Sequence, residues 1–243
     1  MKHLKSFVVL FLLSGLAYTS TAQVKKPVAK KPVAKAKTAA VKKPATPAKL
    51  PGIRIKLTTD SGVMVIRLYD QTPLHRDNFV KLVKAKFFDS LLFHRVISGF
   101  MIQGGDPLSK NSDPGAFLGG GDVGYTIPAE LDTSLFHKFG ALAAARTNNP
   151  EKASSGCQFY IVQGKQYTDA DLNNLEMQMR IKFSPKKRTI YKTVGGVPFL
   201  DMNYTVFGEV ESGFEVINKI ASVPKGAADR PVGDVHMYAE ILK

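Results

Sequence analysis

The chain has 243 residues, a formal net charge of +14 and a single cysteine. The charge is unevenly placed: 11 of the 34 lysine and arginine residues fall in 1–49, where there is no acid, leaving 23 basic against 20 acidic residues in the remainder. A basic nucleic-acid-binding fold is therefore not implied for 50–243, and a lone Cys157 excludes an intrachain disulfide. The opening "MKHLKSFVVLFLLSGLAYTSTAQ" places Lys2 and Lys5 before a short apolar run, with small residues just ahead of Gln23. This is the layout of a secretory signal peptide over 1–22, and it predicts an exported protein, periplasmic or secreted after cleavage. The apolar run, about 12 residues, falls short of the ~20 that span a bilayer. Residues 23–50 repeat "KKPVA" and carry no aromatic residue. Such a Lys/Pro/Ala tract cannot bury enough surface to offset its ordering entropy and reads as a disordered linker. Its charge permits loose contact with an anionic envelope surface, beside the plainer role of a solvated spacer; nucleic acid is not an expected partner of an exported chain.

The globular part, 51–243, opens with "IRIKLTT" and "GVMVIRLY", two alternating segments that predict a hairpin around residues 60–62. "TPLHRDNFVKLVKAKFF" predicts a helix with Thr72 as N-cap and Pro73 at its first position, Leu74, Asn78, Leu82 and Ala85 on one side and Phe79 and Val83 beside them. "LLFHRVI" and "GFMIQGG" read as strands, followed by a glycine-rich loop over 104–124, then strands at "FGALAAAR" and "CQFYIVQ". Within 167–198, Thr168 with Asp171 resembles a capping box, and Leu172, Leu175 and Met179 form a helical stripe. Ser184-Pro185 can start a second helix that Gly195-Gly196 can end. "YTVFGEV" is a strand, "SGFEVINKIASV" an amphipathic helix capped by Ser212, and "HMYAEILK" a closing strand. Many short strands with two principal helices favour a closed β-barrel over βαβ units. The glycine clusters read as tight turns, because neither GxxxxGK[ST] nor a helix-opening GxGxxG is present. His94, His137 and His236 lack metal-ligand spacing, so no metal and no cofactor are expected.

The stretch "FHRVISGFMIQGGDP" sets Arg95 among Phe, Val, Ile and Met. A guanidinium keeps its charge and carries five donors, so idle burial would be costly. From pattern alone two readings stand: an outward-facing strand residue, or a cation held at the rim of an apolar pocket.

"FHRVISGFMIQGGDP", "FGALAAAR", "SSGCQFYIV", "FLDMNYTVFGEV" and "GFEVINKIA" occur in the order and spacing of the cyclophilin family of peptidyl-prolyl cis-trans isomerases, which residues 53–243 resemble apart from the 167–198 insertion. The resemblance implies a mostly β fold: an eight-stranded antiparallel barrel capped by two helices, with a substrate groove on its outer face. It implies proline-containing polypeptides as substrates and, for an exported chain, assistance to their folding; a monomer is expected. The family's catalytic arginine falls on Arg95. Its proline-pocket residues fall on Phe100, Met101, Tyr160 and Leu200, and its groove glutamines on Gln103 and Gln158. Ala145, Arg146 and Thr147 take the places of the Ala-Asn-Ala that pairs with the peptide. Phe199 stands where many members have Trp, and Tyr204 where many have His. Tyr160 adds a hydroxyl to a position usually held by Phe. Phe199 lacks the indole N–H that contacts cyclosporin in the family, so weaker inhibition is expected. The insertion leads into Phe199 and Leu200, which sets it beside the groove, and two readings stand: a packed surface elaboration, or a role in substrate choice.

Overall fold

The computed structural model describes residues 51–242. The signal-peptide and linker readings lie outside the described residues. The first hairpin joins β1 (Arg54–Thr59) to β2 (Gly62–Leu68), with Thr59 opposite Gly62, so that Asp60 and Ser61 alone turn the chain. The first helix, α1, spans Pro73–Lys84. It buries His75, Phe79, Val80, Leu82 and Val83, whereas Leu74 is exposed. The inward face is thus turned about one residue from the one the sequence predicts. Thr72 is the N-cap residue, but its side chain makes no capping bond.

Three short strands follow: β3 (Leu91–Leu92), β4 (Arg95–Ile97) and β5 (Met101–Gly104). After β6 (Thr126–Ile127) come β7 (Ala141–Ala144), β8 (Ser154–Ser155) and β9 (Phe159–Val162). The insertion supplies α2 (Asp169–Met179) and α3 (Pro185–Thr193). β10 (Val206–Ser212), α4 (Phe214–Ala221) and β11 (His236–Leu242) complete the order. Ser212 is the last residue of β10; Gly213, in the left-handed region at φ 82°, occupies the N-cap position instead.

The main sheet is antiparallel and runs β3-β11-β1-β2-β10-β7-β9-β5-β4, and β6 with β8 forms a separate ribbon. Nine strands stand where eight segments are expected because "LLFHRVI" breaks at Phe93-His94. Its first half pairs with β11 and its second with β5. The two edges of the curled sheet are therefore halves of one segment, and Phe93 N–H still bonds the Val235 carbonyl across the break at 2.9 Å.

The period-2 alternation of strands sorts side chains to two sides of this sheet. Val96, Ile102, Leu142, Ala144, Phe159 and Ile161 face the core, where Phe79, Phe88, Phe93 and Phe159 make edge-to-face and stacked contacts under α1. Met101, Ala141, Ala143, Tyr160 and Val162 face outward and form a second apolar cluster with Val197 and Val206. That outer cluster is the bed of the groove. The insertion packs a small core of its own, Phe136, Leu172, Phe183 and Tyr191. Its first helix has the expected capping box between Thr168 and Asp171, and Ser184 caps α3. The stripe is interrupted by buried Glu176, which accepts from Lys182 Nζ, Phe183 N–H and Arg188 Nη1 at 2.9, 2.9 and 3.2 Å. Those charged bonds push its carboxyl down to about 2 and tie α2 to α3. Gly196 (φ 150°) closes the insertion against the barrel, where a Cβ would strike the His137 carbonyl.

Candidate active site

The register of three strands sets three side chains in a row. Arg95 on β4 lies opposite Gln103 on β5, which lies opposite Tyr160 on β9. All three belong to the outward set, so they share one face of the sheet. Arg95 Nη1 donates to Gln103 Oε1 at 3.4 Å, and Gln103 Nε2 donates to Gln158 Oε1 at 3.1 Å. Gln158 Nε2 then donates to the carbonyls of Gly119 and Gly121 at 3.0 and 2.8 Å. Carbonyls can only accept, so the end of the chain fixes the direction of both amides, and Gln103 presents its oxygen to the guanidinium. The glycine loop is held in turn by buried Asp106, whose carboxylate accepts from the backbone N–H groups of Leu108 and Gly119. Gly105, at φ 91°, lets β5 leave the wall, since a Cβ there would strike the Cys157 carbonyl.

The Arg95 side chain is 43% exposed and its Nε lies 3.7 Å from Asp229 Oδ2. Of the two readings open at the sequence, the outward one is right in direction, but the outward side of this sheet is the groove. Arg95, Phe100, Met101, Gln103, Ala145, Arg146, Tyr160, Leu200 and Tyr204 line one hollow of about 160 Å³. This is well under the ~300–1,000 Å³ of small-molecule sites and suits a single side chain. Thr147 and Gln158 line a larger, neighbouring hollow of about 540 Å³ under the glycine loop, which shares Gln103, Ala145 and Arg146 with the first. Phe199 lies outside both linings; it is 42% exposed and stacks on Phe100 with ring centroids 5.7 Å apart. Eleven of the twelve residues singled out in the sequence thus line two hollows that share Gln103, Ala145 and Arg146, and Phe199 adjoins them through Phe100.

Two details differ from expectation. The 145–147 segment is not a free edge throughout: the Ala145 N–H bonds the Gln158 carbonyl and its own carbonyl accepts from Ser155, both within 2.9 Å. The Thr147 carbonyl is also taken, by Arg146 Nη1 and Asn149 Nδ2 at 3.2 and 3.0 Å. The Arg146 side chain folds back, its Nε on the Asn203 carbonyl at 3.0 Å and its guanidinium 4.7 Å over the Tyr204 ring. Tyr160 is buried, and its hydroxyl leaves the hollow to meet His137 Nε2 at 3.0 Å. The extra oxygen is thus engaged with His137 and not with the pocket.

Sequence reasoning missed three contributors: Asp229 beside Arg95, and the buried pair His137 and Asp201. Their partners are 134, 23 and 64 positions away in the chain, so no local spacing signals them. His94, next to Arg95, is buried and neither ring nitrogen has a well-aligned partner. Burial, opposed by Asp106 and aided by the Arg95 charge, pushes its pKa down to about 4. Burial likewise pushes the Cys157 thiol up to about 11, which keeps it protonated and unreactive.

A sequence profile for the family described as cyclophilin type peptidyl-prolyl cis-trans isomerase/CLD matches residues 54–240. The chain belongs to the cyclophilin-type peptidyl-prolyl cis-trans isomerase family. It is 34% identical over 184 residues to a putative peptidyl-prolyl cis-trans isomerase of Staphylococcus haemolyticus, spanning 75% of this chain and 87% of the relative. A putative bifunctional phosphatase/peptidyl-prolyl cis-trans isomerase of Streptococcus pyogenes is 36% identical over 188 residues, a match to 37% of its length. Among solved structures, a cyclophilin-type isomerase of Cryptosporidium parvum superposes with a TM-score of 0.60 at 22% identity, covering 79% of this chain and 98% of that one. The same protein in the presence of the dipeptide Ala-Pro gives 0.57. The cyclophilin fold accounts for the curled antiparallel sheet with its helices.

Proposed function

We propose that this cyclophilin rotates Xaa–Pro peptide bonds in the groove, with the proline ring in the 160 Å³ hollow and Arg95 as the catalytic residue. The amide resists rotation by ~18–20 kcal/mol because the nitrogen lone pair is delocalised into the carbonyl. Uncatalysed Xaa–Pro exchange takes tens to hundreds of seconds. Bringing ~100 s to ~1 ms needs about 10⁵-fold, or roughly 7 kcal/mol. No nucleophile or general base is required. In the twisted transition state the resonance is lost and the proline nitrogen regains its lone pair. A donor aimed at that nitrogen stabilises this state more than either planar one.

The observation that carries the reading is the setting of Arg95. Its Nη1 and Nε are engaged by Gln103 and Asp229, while Nη2 has no partner among the described residues. It borders an apolar lining of Phe100, Met101 and Leu200. A rigid, always-charged donor is thus preoriented at the rim of a hollow that is apolar on the side of Phe100, Met101 and Leu200. Phe100, Met101, Tyr160 and Leu200 would grip the ring, and the larger hollow would take residues preceding the proline. The backbone at Arg146 would pair with the peptide.

The natural substrates under this reading are proline-containing polypeptides met outside the cytoplasm, whose folding the enzyme assists. The signal-peptide layout of 1–22 supports export, and the cationic 23–50 tract would then tether or space the domain at an anionic envelope surface. The test is NMR exchange spectroscopy on an Ala-Pro peptide with the purified chain. Catalytic amounts should bring cis–trans exchange into the millisecond range. An exchange rate equal to that of the free peptide would overturn the assignment.

A further inference from the structure

Tyr160 is the floor of the smaller hollow, and its hydroxyl is one end of a buried relay. His137 Nε2 lies 3.0 Å from that hydroxyl, and His137 Nδ1 lies 3.0 Å from Asp201 Oδ1. The same carboxylate oxygen accepts from the His137 backbone N–H at 3.0 Å and from the Tyr191 hydroxyl at 2.9 Å. Lys187 Nζ lies 3.4 Å from the other oxygen. His137, Asp201 and Tyr191 are all buried. A carboxylate only accepts, so His137 Nδ1 is the donor to Asp201, and in the neutral ring Nε2 accepts from Tyr160. Burial raises the pKa of both Tyr160 and Tyr191, so both phenols keep their protons and act as donors. Every donor in the cluster is directed toward Asp201.

We propose that His137 and Asp201 are positioning residues for the proline hollow, and that helix α3 of the insertion sets the shape of the hollow through them. The proposal rests on the assignment of that hollow as the proline subsite. Asp201 follows Leu200 directly and closes the single turn 198–200 that carries Phe199 and Leu200. Through His137 it also fixes the ring of Tyr160, which stacks on the imidazole with an interplanar angle of 12°. Two walls of the hollow, on separate elements, are thus held by one carboxylate, and Tyr191 and Lys187 hold that carboxylate from the insertion. Tyr191 itself packs among Phe136, Leu172 and Phe183 and lines neither hollow. A phenylalanine at 160 could fill the same space, but it would leave His137 Nε2 buried without a partner. The tyrosine at this position and the insertion therefore work as one unit.

The experiment is an NMR titration and exchange measurement with an Ala-Pro peptide, on the full chain and on Tyr191→Phe, Tyr160→Phe and the double variant. Each single change removes one oxygen. Kd and KM should rise three- to tenfold in Tyr191→Phe while kcat changes less than twofold. The double variant should bind within twofold of the weaker single one, because both changes break the same relay. Lys187→Met, which removes the other partner of Asp201 from the insertion, should raise Kd in the same direction by a smaller factor and serves if Tyr191→Phe does not fold. Unchanged Kd and KM in a folded Tyr191→Phe protein, or multiplicative losses in the double variant, would overturn the proposal. A wild type that binds the peptide without speeding exchange would defeat the isomerase assignment alone, and the Kd comparison would still decide the role of the relay.

Discussion

Both walls of the groove rest on a buried histidine, and the two histidines are held in opposite ways. His94 lies behind the Arg95 wall with no well-aligned hydrogen bond and a pKa pushed down to about 4. His137 lies behind the Tyr160 and Leu200 wall and is bonded at both ring nitrogens. On the first wall the main chain does the placing: β4 and β5 set Arg95 and Gln103 side by side, and His94 only has to be small, flat and neutral. On the second wall Tyr160 comes from β9 and Leu200 from the turn 198–200, which share no ladder. A side-chain network takes over the role that sheet pairing plays opposite. Under the proposed function, the wall built by backbone register would carry the chemistry, and the wall built by side chains would hold the substrate.

The largest expected effect is on the first wall. Arg95→Ala should lower kcat/KM for an Ala-Pro peptide by at least ~10²-fold, since a preorganised donor is worth about 3–4 kcal/mol. Thermal melting should be nearly unchanged, because Arg95 is well exposed. Arg95→Lys keeps the charge without the planar fork and should recover only part of the loss.

Next comes the pH dependence of stability. An imidazole with a folded pKa of about 4 against 6.5 when unfolded takes up its proton first in the unfolded chain. Its contribution is complete above about pH 6.5 and is lost as pH falls toward 4, by about 3 kcal/mol in all. His75, whose pKa burial lowers against the pull of Glu130, adds in the same direction. Urea midpoints at pH 7, 5.5 and 4 should fall accordingly, and His94→Phe should flatten part of that slope. A profile unchanged by His94→Phe would show that this wall does not depend on a neutral imidazole.

A smaller effect is expected at Gln103→Leu. It removes the acceptor of Arg95 and the donor to Gln158 together, leaving the guanidinium in place but less well aimed. A loss of about tenfold in kcat/KM, near 1.4 kcal/mol, is expected from steady-state assays. A loss as large as that of Arg95→Ala would mean that the glutamine acts on substrate directly.

The same contrast explains what could be read from the sequence. Strand alternation is local, so the barrel segments were legible, and the resemblance carried by five motifs pointed to twelve positions, eleven of which line the two hollows. Register then decided the orientation of Arg95, which pattern alone left open. The helices of the insertion were legible because caps at Thr168 and Ser184 are local too. The break of "LLFHRVI" into two strands was not, because it reflects which neighbour each half meets on closing the sheet. The cap of α4 shifted from Ser212 to Gly213 because β10 pairs through Ser212. Leu74 was expected inward, but packing turns α1 toward His75 and Phe79. His137 and Asp201 gave no signal, since their partners arrive from the insertion and from distant strands.

The division between the two walls is tested most directly by saturation kinetics of Arg95→Ala and Tyr191→Phe measured side by side on one Ala-Pro peptide. Arg95→Ala should lose kcat with KM nearly unchanged, and Tyr191→Phe should raise KM with kcat nearly unchanged. If both variants lowered kcat with KM fixed, or if Arg95→Ala retained a near-normal kcat in a folded protein, the division of chemistry and holding between the two walls would be contradicted.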